Sequence, residues 1–175
     1  MDTYLFHGNL VSANRILYTP SAFAKSSLLH LQEIGTLKAQ KPHTSRRENL
    51  SSYLFFIILS GSGTLEYDGS SCALHTGDCV FLDCHRAYSH TTSPQLWQLK
   101  WVHFYGPNMG SIYDKYAERG GPPVFHPADP SRYLALLDQL YDTASSEDYL
   151  RDMRIFEKLT SENVQYSDGT FMVQI

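Results

Sequence analysis

Leu65-Glu66-Tyr67-Asp68-Gly69-Ser70-Ser71-Cys72-Ala73-Leu74 decides how this chain folds. Two short runs of strand-forming residues flank Asp68-Gly69, where glycine takes positive φ at no steric cost and aspartate tolerates it, so the segment reads as a tight β-hairpin. Gly61-Ser62-Gly63 before it and Thr76-Gly77-Asp78 after it mark further turns. Runs rich in β-branched and aromatic residues predict strands over 28–33, 36–39, 53–59, 63–67, 71–75, 79–82, 88–92 and 96–105. Strands this closely spaced, with no helical pattern between them, imply a sandwich or small barrel of antiparallel strands and exclude a parallel α/β sheet.

The composition changes once, at Gly120-Gly121-Pro122-Pro123. Beyond it, Asp129-Pro130-Ser131 offers an N-cap with proline at the first helical position, where its missing N–H is not needed. A helix to about residue 144 follows, with Tyr133, Leu136, Leu137, Leu140 and Tyr141 recurring on one face. Ser145-Ser146 is expected to cap a second helix over 147–165, striped by Tyr149, Leu150, Met153, Phe156 and Leu159. Two amphipathic helices with a tight connection make an antiparallel hairpin. The last residues, 167–175, carry no pattern of this kind.

The 175 residues suffice for one domain with a small appendage, and 42% hydrophobic residues with 13% aromatics exclude the signature of disorder. Fourteen Lys plus Arg against 18 Asp plus Glu leave a net charge of −4, without the basic excess that duplex DNA demands. No apolar run approaches the roughly 18 residues of a membrane span. Met1-Asp2-Thr3 opens without a basic region ahead of an apolar run, so no secretory signal is read and the expected location is cytoplasmic. Cys72, Cys79 and Cys84 are odd in number and lack Cys-x-x-Cys spacing, which favours buried free thiols over a disulfide framework or a zinc ribbon.

Motifs for chemistry are few. Gly61-Ser62-Gly63-Thr64 lacks the Gly-Lys-Ser/Thr ending of a phosphate loop and sits between strands, so it is a turn. Of the eight histidines only His85 and His90 cluster, beside Cys84 and Asp83, on a strand where neighbours point to opposite faces; no metal site is assigned. No nucleophile sits on a glycine-flanked elbow, so no catalytic residue is assigned either. The most informative stretch is Gln95-Leu96-Trp97-Gln98-Leu99-Lys100-Trp101-Val102-His103-Phe104-Tyr105-Gly106. Alternation puts Trp97, Leu99, Trp101 and His103 on one face. That face is either plain core or the wall of a pocket, since indoles stack on flat or sugar-like ligands while offering N–H donors.

The ordered set of Arg46, then Tyr53-Leu54-Phe55-Phe56-Ile57-Ile58-Leu59-Ser60-Gly61-Ser62-Gly63, then Leu74-His75-Thr76-Gly77-Asp78-Cys79-Val80-Phe81-Leu82-Asp83-Cys84, then the tryptophan strand, resembles the N-terminal sensor domain of AraC-type transcriptional regulators over residues 1–165. The resemblance implies a mainly β fold: a cupin-like jelly-roll barrel holding a small effector, commonly a sugar, followed by a two-helix antiparallel hairpin that dimerises. It divides the chain into an N-terminal arm and barrel (1–126), a dimerisation hairpin (127–166) and a tail (167–175). In such regulators a DNA-binding domain with two helix-turn-helix units follows. It lies outside these 175 residues, so the chain reads as a fragment or truncated product that meets DNA only through that missing part and has no membrane partner.

By position, the resemblance implies ligand binding by Arg46, Tyr88, His90, Leu99 and Trp101, a homodimer contact through Leu140, Met153 and Phe156, and no cofactor. The arm, residues 1 to about 10, or the helix pair would respond to the effector. Many relatives carry Pro then His where this chain has Ala87 then Tyr88. The same comparison weighs against the alternative reading, a small metal-dependent cupin enzyme of isomerase or oxygenase type. Metal-binding cupins place two His and a Glu before the glycine turn and a further His after the Gly-Asp turn. Here those regions read Arg46-Arg47-Glu48-Asn49-Leu50 and Tyr88.

Overall fold

The computed structural model describes residues 3–160. Tyr53-Leu54-Phe55-Phe56-Ile57-Ile58 explains the architecture, because all six side chains are buried and successive ones point to opposite sides of a strand. A strand apolar on both faces has to sit inside a layered structure. Leu54, Phe56 and Ile58 join a core inside the barrel, while Tyr53, Phe55 and Ile57 join a second core beneath a layer of helices.

The strands are β1 (Val11–Leu17), β2 (His30–Ala39), β3 (Thr44–Arg47), β4 (Tyr53–Ser60), β5 (Ser62–Tyr67), β6 (Ser70–His75), β7 (Cys79–Asp83), β8 (Tyr88–Thr92), β9 (Gln98–Tyr105) and β10 (Val124–Phe125). They form a six-stranded sheet in the order β1-β2-β9-β4-β7-β10 and a four-stranded sheet in the order β3-β8-β5-β6, every pairing antiparallel. The fold is thus the mainly β, cupin-like jelly roll followed by a helical pair. The β5–β6 hairpin has Tyr67 paired with Ser70, and its two loop residues, Asp68 and Gly69, both have positive φ, as a twist-matched two-residue turn requires. Leu65, Tyr67 and Leu74 reach into the barrel from this side.

Helices α1 (Thr3–His7) and α2 (Ala22–Ser27) flank β1; α3 (Met109–Glu118), α4 (Ser131–Ser145) and α5 (Arg151–Thr160) follow the barrel strands. Met109, Tyr113 and Tyr116 of α3, Leu137, Leu140 and Ala144 of α4 and Ile155 of α5 close over the outer face of the six-stranded sheet. The Lys100 ammonium of β9 bonds the Asp138 carboxylate of α4, and the Lys158 ammonium of α5 reaches Gln139 Oε1 of α4 at 3.3 Å, so the last helix runs back along its predecessor.

Several expectations need correction. Strands over 28–33 and 36–39 are one strand, β2, interrupted by a bulge between Leu31 and Glu33. Strands β1, β3 and β10 and helix α3 were not anticipated, so the helical layer begins before residue 120. The Asp129 carboxylate does accept from the Ser131 N–H at the start of α4, but Ser146 ends that helix instead of starting the next. Asp148 supplies the turn before α5, accepting from the Leu150 N–H. Residues 161–165 of the expected second helix and the tail lie outside the described residues. Cys79 and Cys84 are buried, their thiols pushed up to about 12 chiefly by desolvation, whereas Cys72 is exposed. Leu140 cannot belong to a dimer contact, because it is 1% exposed and packed in this chain's own core. Phe156 is half-buried against the same core, and Met153 is the only one of the three that stands in solvent.

Candidate functional site: the barrel cavity

Between the two sheets lies a cavity of about 370 Å³, within the range of sites that hold small molecules. The predicted face of β9 forms one wall: Leu99, Trp101 and His103 line it. Trp97, the fourth residue of that face, is fully buried and takes no part in the lining; its ring fills space that a Cβ on Gly63 would enter at 2.2 Å. The tryptophan face therefore divides: Trp97 is core, and Trp101 lines the cavity. Tyr88 and His90 of β8 form the opposite wall with Ser45 and Arg47 of β3, in the pairings Ser45 with His90 and Arg47 with Tyr88.

Four of the five expected residues, Tyr88, His90, Leu99 and Trp101, thus meet in one cavity. Arg46 does not. It pairs with Ser89 on the outer face of the small sheet, is exposed, and borders a surface groove with Glu66 and Asp68. On a strand the neighbours of an outward residue point inward, so Arg47 stands where Arg46 was expected. The one-residue difference follows from β3 itself, whose residues, Thr-Ser-Arg-Arg, carry no apolar alternation to set the phase.

The lining also includes three charged residues that the sequence does not assign to it, Arg15, Glu33 and Arg47, together with His103 of the tryptophan face. The β2 bulge lets Gln32 and Glu33 both face the cavity. The Glu33 carboxylate accepts from Arg15 Nε at 2.9 Å and Nη2 at 3.2 Å, a two-point grip, and from Trp101 Nε1 at 3.1 Å. Trp101 is thereby fixed through its indole N–H. Phe6 of α1 stacks on Trp101 with centroids 5.9 Å apart, and the Arg15 guanidinium lies 4.1 Å from the Phe6 ring centroid. Leu5 and Phe6 line the cavity, so the expected N-terminal arm sits beside the indole.

The two histidines of the cavity resist protonation. Burial, aided by the positive charge of Arg47 and by His43 and His103, pushes His90 down to about 3. His103 falls to about 4, again mainly through burial, with Arg47 and Arg15 adding to the effect and Glu33 opposing it. Both are neutral imidazoles near pH 7, each with one donor and one acceptor nitrogen. His103 Nδ1 lies 2.8 Å from Ser52 Oγ, while His90 Nδ1 is buried with no hydrogen-bond partner. Burial raises the Tyr88 phenol well above its ordinary range, so it stays protonated. His85, clustered with His90 in the sequence, turns outward onto Asp83, with Nδ1 at 2.6 Å from the carboxylate. Among the described residues no group of three or more His, Cys, Asp or Glu is arranged to hold a metal ion. An apolar wall, an anchored indole, neutral imidazoles and a guanidinium suit reversible binding of a polar molecule.

Solved structures with similar folds include a cupin superfamily protein from Desulfitobacterium hafniense (14% identity, TM-score 0.41, covering 54% of this chain and 78% of that one). Others are an HTH_3 family transcriptional regulator from Vibrio cholerae (13%, 0.43, 54% and 51%) and the Cupin_2 domain of an XRE family transcriptional regulator from Enterobacter cloacae (11%, 0.43, 56% and 98%). No curated protein sequence matches this one. No described helix is long and apolar enough to cross a membrane. The profile of one family, described as the AraC-like ligand binding domain, matches residues 32–159, well over half of the sequence, and the chain belongs to that family.

Proposed function

We propose that this chain is the effector-sensing and dimerisation module of an AraC-type transcription regulator, and that it works by binding, not by catalysis. The observation that carries the reading is the cavity itself, sized for a monosaccharide-like molecule, with Trp101 offering a flat apolar surface opposite Tyr88 and His90. An occupant stacked on Trp101 meets Phe6 on the same indole, so occupancy and arm position are linked by competition for one surface. A ligand shifts such an equilibrium only by its differential contacts with the two arm positions.

Self-association is assigned to the exposed apolar residues around α5. Tyr149 is 90% exposed, and Leu150 and Met153 are exposed beside it. Apolar side chains gathered at the start of one helix are the natural seat of a second copy. Activity on genes is assigned to DNA-binding parts beyond these residues, in keeping with the net charge of −4.

A thermal-shift screen of neutral sugars, sugar alcohols and sugar acids tests the reading, because a ligand of the native state raises the melting temperature. The expected result is at least one stabilising compound whose effect disappears in Trp101→Ala. A stabilising compound whose effect is unchanged in that variant overturns the cavity as the effector site.

A further inference from the structure

We infer that the occupant of the barrel cavity is an uncharged cyclic alcohol with one apolar face, its ring laid on the six-stranded sheet and its hydroxyls turned toward the four-stranded sheet; the inference rests on the cavity being the effector site. Sorting the lining by sheet leads to it. The six-stranded sheet presents Leu37 of β2, Leu54 and Phe56 of β4, and Leu99 and Trp101 of β9. Its polar members in the lining, Arg15, Glu33 and His103, each have a partner within the protein. The four-stranded sheet presents Ser45 of β3 with Tyr88 and His90 of β8, two hydroxyls and an imidazole. A molecule that is polar all round leaves its own groups unbonded against the first wall, whereas one with a single apolar face suits both.

Every charge among the described lining residues is already engaged. The Glu33 carboxylate accepts on one oxygen from Arg15 Nε and Trp101 Nε1 and on the other from Arg15 Nη2, and Arg15 also lies over the Phe6 ring. Arg47 has an interaction of its own within the protein. A carboxylate or an ammonium entering the cavity therefore gives up its hydration without meeting a free counter-charge, which is a heavy cost. The groups that remain are neutral: two uncharged imidazoles, a protonated phenol and the Ser45 hydroxyl. Ser52 holds one nitrogen of His103 at 2.8 Å, while the buried Nδ1 of His90 marks a polar position that the protein itself does not satisfy. Hydroxyls and neutral imidazoles both donate and accept. An alcohol does the same, whereas a carboxylate only accepts and an ammonium only donates, so the hydroxyl is the group that these side chains match in either direction.

Probe series in which one ring carries an alcohol, an acid or an amine test this: cyclohexylmethanol, cyclohexanecarboxylate and cyclohexylmethylamine; benzyl alcohol, benzoate and benzylamine; glucose, its deoxy form quinovose, glucuronate and glucosamine. Melting temperature and titration calorimetry are read on the 175-residue protein. At least one alcohol should raise the melting temperature by about 5–10 °C at a hundred times its Kd, while its acid and amine partners do not. Tyr88→Phe and His90→Phe should each raise that Kd about tenfold. Trp101→Ala should abolish the shift, and Arg46→Gln, whose side chain lies outside the barrel, should leave it unchanged. Circular dichroism of each apo variant separates lost binding from lost fold, and Tyr88→Phe, which removes a single oxygen, is decisive if His90→Phe does not fold. An acid or amine that stabilises as much as its alcohol overturns the inference, as does a panel in which no member stabilises. Glucose bound more tightly than quinovose overturns the apolar face, and an alcohol whose Kd is the same in Tyr88→Phe and His90→Phe overturns the hydroxyl contacts. An acid or amine effect that Trp101→Ala abolishes overturns the uncharged occupant alone and keeps the cavity as the effector site; an effect of any member that is unchanged in Trp101→Ala overturns both.

Discussion

Gly35 of β2 faces Trp101 of β9 so closely that a β-carbon at position 35 would lie 2.6 Å from the indole Cη2 and 2.3 Å from the Asn14 carbonyl oxygen. The two residues are register partners across the sheet, and the missing side chain of one is the seat of the other. Gly35→Ala should therefore force either β1 or the indole to move, at a cost of about 1–3 kcal/mol. The measurement is urea unfolding, where the midpoint should fall with little change in slope. An unaltered midpoint would show that β1 yields freely and that the glycine does not position Trp101.

The two tryptophans should respond differently to truncation. Trp97 is enclosed on all sides, so Trp97→Ala opens a void in the barrel core and should cost about 3–5 kcal/mol. Trp101 lines the cavity instead of filling the core, so Trp101→Ala should cost less and leave a folded protein without ligand response. Equal losses of stability in the two variants would place both indoles in the core.

Stability should fall in mild acid. His90 and His103 have folded-state values of about 3 and about 4, below the unfolded value near 6.5, so the unfolded chain takes up the protons first. The stabilisation is complete above pH 6.5 and is lost progressively as the pH drops toward 4. At pH 5 each histidine should contribute about 2 kcal/mol less than at pH 7.5. Denaturation series of wild type and His103→Gln between pH 7.5 and 5 measure this, and parallel curves would contradict the burial of that ring.

Substitutions on the two last helices should separate core from contact surface. Leu140→Asp buries a carboxylate under α4 and should unfold the protein, whereas Met153→Asp should leave circular dichroism unchanged. If α5 carries the dimer contact, Met153→Asp also halves the mass seen by light scattering. A Met153→Asp protein that keeps its wild-type mass, above that of one chain, moves the contact elsewhere.

How much was legible in the sequence depended on whether local pattern or distant pairing set each element. Asp68-Gly69 announces its turn because the required φ values are a local property, and Trp97 through Phe104 announce two faces because each faces a different core. β1 and β3 were silent: Ser12, Ala13 and Asn14 are exposed, and Thr44 to Arg47 include no apolar residue, so only their partners β2 and β8 make them strands. That silence also leaves the sequence without a phase to say which of Arg46 and Arg47 points into the barrel. Helix α3 had a readable signal, since Met109, Tyr113 and Tyr116 recur at helical spacing and are the residues it buries. Glu33 was hidden by the bulge at Gln32, whose only trace in the sequence is a glycine three residues beyond it.

The chain has only two tryptophans, four residues apart, Trp101 on β9 and Trp97 immediately before that strand. Trp97 is fully buried and outside the cavity lining, while Trp101 borders the cavity and touches Phe6. Intrinsic fluorescence is thus a built-in gauge of the cavity: an occupant or a displaced arm acts directly on the emission of Trp101, and the buried Trp97 supplies the reference. Trp101→Phe strips the signal to that reference, which makes an optical titration of any candidate compound self-calibrating without an attached dye.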